Sequence, residues 1–230
     1  VLPGLGGRDV ELASSALVGL GEGARYLADY PYQCAEQKAS AALALTLAAD
    51  LGQAFEMGRI APPEYRKRAA ELLSDLPRYQ CMDGGFGYWP GTCLLGHFYL
   101  TSYVLHVMHV ASGFGIQSDK AVVGRALDFL DREMKRPAPA QVQWLPVWGA
   151  SAAFATKVLA EHGRNQDSNI TRLLAGIDRM PVFALSYLAD AMAASPARGP
   201  RYSDVVRRLT NALNVEGDRA HVEEVDSDML

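Results

Sequence analysis

Residues 34–49, CAEQKASAALALTLAA, decide how the rest of the chain reads. Alanine and leucine, which lose little on entering a helix, recur here on every side rather than along one stripe. A helix apolar all round is a buried one, so the flanking segments must supply the layers that cover it. The following helix, expected at 63–76 and opened by Pro62-Pro63, has the charged composition of a solvated outer face. Further helices are expected at 98–111, at 119–134 with Ser118 as N-cap, and at 147–161, 168–176, 181–194 and 203–213. Pro181 at a first helical position and Ser203 as a cap fit that placement. Upstream, an extended lead-in at 8–12 precedes a helix capped by Ser14 or Ser15 and reaching about Ala28. No alternating strand pattern of useful length appears. The expected fold is all-α, with buried helices alternating with more polar ones, as in a solenoid or a closed ring of helical hairpins.

Composition narrows the function classes. A chain of 230 residues with 49% apolar and 21% charged residues has the profile of an ordinary globular protein, and 1–230 is expected to form a single domain. A net charge of −4 argues against nucleic acid as a partner. No run approaches the roughly 18 apolar residues that a membrane helix requires. The chain opens on Val1 without a basic-then-apolar leader, and both ends are expected to continue into a longer protein.

Chemistry enters at the start of the decisive helix. Residues three apart on a helix are neighbours, with Cβ atoms about 5–6 Å apart, so Cys34 and Gln37 share the first turn. Pro31 stops the preceding helix, and the turn is expected to leave backbone N–H groups beside Cys34, which favour thiolate over thiol. A thiolate held against a carboxamide carbon can attack it, expel ammonia and leave an internal thioester. Glu36 is placed to give local acid–base help. The plainer reading is a buried free cysteine beside a solvated glutamine.

The wider stretch YPYQCAEQ, residues 30–37, resembles the thioester motif of the α2-macroglobulin and complement family, Y-P-Y-G-C-x-E-Q. The resemblance makes Cys34 the thioester sulfur and Gln37 the acyl carbon, with Tyr30, Pro31, Tyr32 and Glu36 at flanking positions. DVELASSALVGLGEGARYLADYPY upstream, and DGGFGYWPG and FYLTSYVLHVM downstream, are similar to the family's surrounding sequence. Gln33 stands where the family has glycine. What the resemblance implies is an α/α toroid of helical hairpins, its last helices lying beyond Leu230. It also implies a protease trap that is not an enzyme, needs no cofactor and is periplasmic or secreted. After a protease cuts a bait elsewhere, the thioester acylates the attacker's amines. In complement-type members a downstream histidine relays the acyl group to hydroxyls; residues 136–160 here contain no histidine, and His162 lies just beyond. Tyr30, Tyr32, Tyr88 and Trp89 are the local candidates for keeping the thioester dry, together with neighbouring domains of the parent protein.

Other residues carry weaker signals. Cys81 and Cys93 bracket a glycine-rich loop, CMDGGFGYWPGT, and are either disulfide-bonded or free. That loop lacks the G-K-[ST] ending of a phosphate loop and is expected to pack Phe86, Tyr88 and Trp89 as a lid or rim. His106-x-x-His109 shares a helix face near His97 and the two cysteines, but the spacing matches no common zinc pattern. Trp144 and Trp148 are expected in the core or at an inter-domain surface. Lys38, beside the acyl donor, has the chemistry of an internal nucleophile, but the favoured reading is a solvated charge pointing away. Two rival classes stay open. One is an enzyme on the same toroid, such as a terpene cyclase or prenyltransferase subunit, although neither an Asp-rich acid motif nor a zinc site is legible. The other is a helical scaffold with an inert cysteine.

Overall fold

The decisive helix forms and runs further than its alanine-rich core requires, as α1, Ala35–Phe55. The structure, a computed structural model, describes Tyr26, Tyr30 and residues 34–55, 62–138, 140, 145–195 and 199–222. Apart from Tyr26, the helix expected before Ala28 lies outside the described residues, as do Trp144 and the segment after residue 222.

Ala35, Ala39, Ala42, Leu45 and Ala49 of α1 are at most 2% exposed, and their small side chains let two neighbours approach closely. One neighbour is α2, Pro62–Asp75. It buries a single stripe, Tyr65, Ala69, Leu72 and Leu73, at the spacing of a helix with one wet face. The other is α3, Phe98–Gly113. The same alternation continues through α4, Lys120–Met134, α5, Leu145–Glu161, α6, Asp167–Leu174, α7, Val182–Ala194, and α8, Arg201–Asn211. The broadly buried helices α1, α3, α5 and α7 pack in succession, while α2, α4, α6 and α8 lie against their outer side. The fold is all-α in two layers. Among the described residues no comparably extensive packing returns from α7 or α8 to α1, so the closed ring stays an expectation.

Side-chain pairs give α3 and α5 a common direction. Tyr99 of α3 meets Phe154 of α5 at 6.0 Å between ring centroids. Two turns further along both helices, His106 Nδ1 lies 3.0 Å from Glu161 Oε2, so α3 and α5 run parallel. Ser40 Oγ of α1 lies 2.9 Å from the Tyr103 hydroxyl of α3, and Phe154 lies 4.9 Å from Tyr187 of α7.

Three boundary expectations need correction. Asp119, not Ser118, caps α4: its Oδ1 accepts from the Ala121 and Val122 N–H groups at 2.7 and 3.2 Å. A carboxylate there also faces the positive end of the helix dipole. The Ser118 hydroxyl is buried and has no hydrogen-bond partner among the described residues. Ser203 sits inside α8, which begins at Arg201 after Pro200, and Pro181 caps α7 rather than occupying its first turn. A small antiparallel hairpin, β1, Leu213–Glu216, and β2, Arg219–Val222, follows α8. Its turn is Gly217-Asp218, with Gly217 at φ 64°, one of the two-residue signals for a tight hairpin. Alternation could not reveal it because both strands are largely exposed on both faces.

The α3–α5 contact is the fold's acid-sensitive seam. Burial alone would raise the Glu161 carboxyl, yet hydrogen bonds from His106 and Lys157 outweigh it and hold the group at about 2, against an ordinary 4.5. His162, whose Nε2 lies 3.2 Å from the Leu105 carbonyl, is pushed down chiefly by burial. Glu161 therefore adds stability that is complete above about pH 4.5 and is lost as pH falls towards 2. That loss is about 3 kcal/mol. Neutral burial of His162 adds a further loss as pH drops below its ordinary value of 6.5. Urea midpoints are expected to fall on acidification from pH 7 to pH 3, and to fall less in Glu161→Gln. An equal fall in both proteins would contradict this assignment.

Candidate functional site

The sequence places Cys34 immediately before α1, where the first N–H groups of the helix lack intrahelical partners. The structure supplies two partners. The Cys34 N–H donates to Gln37 Oε1 at 3.1 Å, and the Ala35 N–H donates to the Tyr88 carbonyl at 2.9 Å. Those amides are therefore not free beside the sulfur, contrary to the sequence-based expectation. The first bond is the glutamine half of a capping box, in which the third helical residue reaches back to the residue before the helix. It also draws electrons from the carboxamide carbon, as an oxyanion-hole donor does. Cys34 is buried and outside any disulfide, while Gln37 is half-buried and Glu36 is exposed. The turn thus joins a thiol and a polarised acyl carbon that the chain brings together within four residues.

The glycine-rich loop seats this turn. Cys81 and Cys93 are bonded to each other across it, with Cα atoms 4.6 Å apart. Asp83 holds the loop from within, its two carboxylate oxygens accepting from the Gly85 N–H at 3.0 Å and the Gly96 N–H at 2.8 Å. Gly84 adopts φ +94° over the Arg125 backbone, and Gly85 and Gly96 touch backbone to backbone. Phe86 is fully buried, with its N–H donating to Thr101 Oγ1 at 2.8 Å. Of the expected lid, only Phe86 is core. Tyr88 is 39% exposed and edge-on to His97 at 5.3 Å, and Trp89 is 65% exposed. What reaches Ala35 is the backbone of Tyr88, not its ring. Tyr30 stacks at a tilt on Tyr26 at 5.7 Å; Pro31, Tyr32 and Gln33 lie outside the described residues.

Lys38 requires a correction. It is buried rather than solvated, at 9% exposure, and its Nζ lies 2.8 Å from Asp75 Oδ2 at the end of α2. The same Nζ sits 6.0 Å from the ring centre of Tyr79. The Lys38 hydrogen bond holds the Asp75 carboxyl below its ordinary value against the opposing effect of burial. Tyr79 is raised first by burial, then by Asp75 and, in smaller part, by Cys34. Cys34, Lys38, Asp75 and Tyr79 form one neighbourhood that residue-by-residue reading missed. The available signal was the four-residue step from Cys34 to Lys38, which puts both on one helix face.

The histidines take structural roles. The His97 side chain accepts from the Leu100 N–H at 3.5 Å as the cap of α3, His106 pairs with Glu161, and His109 meets His162 edge-on at 5.2 Å. Among the described residues no group of three His, Cys, Asp or Glu side chains could hold a metal ion. Trp148 is half-buried against the core under the Arg172 guanidinium at 5.3 Å.

No protein-family model matches the chain, and a search of curated proteins finds no relative. Solved structures do match. Native Escherichia coli α2-macroglobulin, from domain MG7 to the C-terminus, superposes with a TM-score of 0.72 at 20% identity, covering 84% of this chain and 31% of that one. The fold is α2-macroglobulin-related. Salmonella α2-macroglobulin reacted with methylamine gives a TM-score of 0.70 at 19% identity, covering 86% of this chain and 13% of that one. Trypsin-activated E. coli α2-macroglobulin gives 0.68 at 21% identity, covering 79% and 13%. At this identity the likeness is one of fold, and the chain spans under a third of the length of these α2-macroglobulins.

Proposed function

We propose that this chain is the thioester-bearing part of a protease-trapping inhibitor of α2-macroglobulin type. The observation that carries the reading is the Cys34–Gln37 turn inside the run YPYQCAEQ. Its carbonyl is already polarised by the Cys34 N–H, on a fold shared with bacterial α2-macroglobulins.

In the proposed chemistry, the Cys34 thiol adds to Gln37 Cδ, the C–N bond breaks, and the nitrogen leaves as ammonia carrying the thiol's proton. On activation, a lysine amine of the protease attacks the same carbon. The C–S bond then breaks, the amine's proton passes to the sulfur, and an amide joins protease to inhibitor. Each molecule reacts once and does not turn over. The loop touching Ala35 presents Met82, Trp89, Leu94 and Leu95 at 65–78% exposure. We assign that apolar surface to contact with other parts of the protein that keep the thioester dry. The Cys81–Cys93 disulfide fits an oxidising compartment, periplasmic or extracellular.

The nucleophile follows from the histidines. Residues 136–160 contain none, and His162 is engaged at the far end of α5 with Leu105. Without a relay, direct aminolysis dominates. Labelled amine is expected to be incorporated at residue 37 while glycerol competes poorly. Glycerol competing as well as amine would overturn the assignment, and incorporation of neither would overturn the thioester itself.

A further inference from the structure

The proposed thioester carries a hazard within its own helix. Thioesters acylate amines, and Lys38 is one residue from the acyl donor and one turn from the sulfur. It lies on the Cys34 face of α1 and is buried, at 9% exposure. A neutral amine there needs no encounter step to attack, and such intramolecular proximity accelerates acyl transfer by many orders of magnitude. Attack by Nζ on the residue-37 carbon would break the C–S bond, pass the amine's proton to Cys34 and leave a lactam between residues 37 and 38. The warhead would be spent before any protease arrived.

We propose that Asp75 is a guard residue that keeps the Lys38 amine from consuming the thioester. This rests on the thioester reading above. The geometry acts in two ways. Nζ donates to Asp75 Oδ2 at 2.8 Å, drawn towards the end of α2 and over the Tyr79 ring. An ammonium engaged with a carboxylate also has no lone pair with which to attack. Asp75 is fixed in turn by Arg78, whose guanidinium lies 3.0 Å from Oδ1, so the carboxylate is held from both sides. The pair sits at the junction of α2 and the short 3₁₀ turn Leu76–Tyr79, outside the sequence run that signals the thioester. Asp75 is a positioning residue and takes no part in acyl transfer to the protease.

The test uses the full-length protein in four forms: unchanged, Asp75→Asn, Asp75→Asn with Lys38→Met, and Asp75→Asn with Lys38→Arg. Each is assayed for thiol released by methylamine, for free thiol before treatment, and by intact mass with peptide mapping. Asp75→Asn is expected to lose most of the methylamine-releasable thiol and to show a free Cys34. Its mass should stay one ammonia short of the sequence value, because lactam formation is an isomerisation of the thioester, and the map should show a cross-link between residues 37 and 38. Both double variants should regain the unchanged protein's yield, since neither methionine nor a guanidinium attacks. Asp75→Asn behaving like the unchanged protein would overturn the guard. Loss of releasable thiol in the double variants as well would overturn it too, because the defect would then be structural. Absence of releasable thiol in the unchanged protein would instead overturn the thioester reading on which the guard depends.

Discussion

On the proposed trapping chemistry, Cys34→Ala is expected to abolish covalent capture of an added test protease, such as trypsin, by the full-length protein while leaving the fold in place. The side chain is buried at 7%, but alanine keeps the backbone N–H that donates to Gln37, so the stability loss is about 1 kcal/mol. Gln37→Glu sharpens the point. Glutamate is as good a capping-box partner as glutamine, so the start of α1 should hold. A carboxylate, however, has no ammonia to expel and forms no thioester. Trypsin adducts that survive denaturation, present in the unchanged protein and missing from both variants at near-equal thermal midpoints, are the expected outcome. Adducts persisting in Cys34→Ala would remove this sulfur from the chemistry.

Gly96→Ala is expected to be the most damaging single substitution in the loop that seats the site. A Cβ there would lie 2.4 Å from Gly85 Cα and 2.6 Å from Gly85 C. These are backbone atoms that no rotamer change can move. The clash also falls on the amide that Asp83 holds at 2.8 Å. Overpacking of this kind, together with the loss of that charge-assisted bond, costs about 3 kcal/mol or more. It should also pull the Tyr88 carbonyl off Ala35 and lower the yield of methylamine-releasable thiol. Gly113→Ala is the control. It ends α3, is exposed, and has open space where its Cβ would stand, so its effect should stay within about 1 kcal/mol. Equal midpoints for the two variants by urea unfolding would show that the Gly85–Gly96 contact does not constrain the loop.

How far the sequence could be read follows from the kind of information each feature uses. The layer order was legible because alanine-rich α1 and the charged stripe of α2 are composition signals, local to each helix. The helix starts were less so, since Asp119 and Ser118 are both good caps on paper and only the path of the chain decides between them. The hairpin after α8 escaped because strands exposed on both faces carry no alternation. At the site, Cys34 and Gln37 were legible as a pair, but the pair is ambiguous: C-x-x-Q has the spacing of a thioester and also that of a capping box, and the structure satisfies the second geometrically. Lys38 was misread because its partner, Asp75, comes from another helix, and a charge beside a reactive motif looks solvated until that partner is seen. The roles of Asp83 and the Tyr88 backbone were invisible for the same reason: they act through main-chain groups brought together by the loop's fold.

The most direct test of the thioester is the state of Cys34 and Gln37 in freshly prepared full-length protein, read by thiol alkylation and intact mass before and after methylamine. No alkylation of Cys34 is expected at first, with a mass one ammonia below the sequence value. Methylamine should then release one thiol and leave residue 37 as its methylamide. Full alkylation of Cys34 in untreated native protein, with Gln37 still a primary amide, would contradict it.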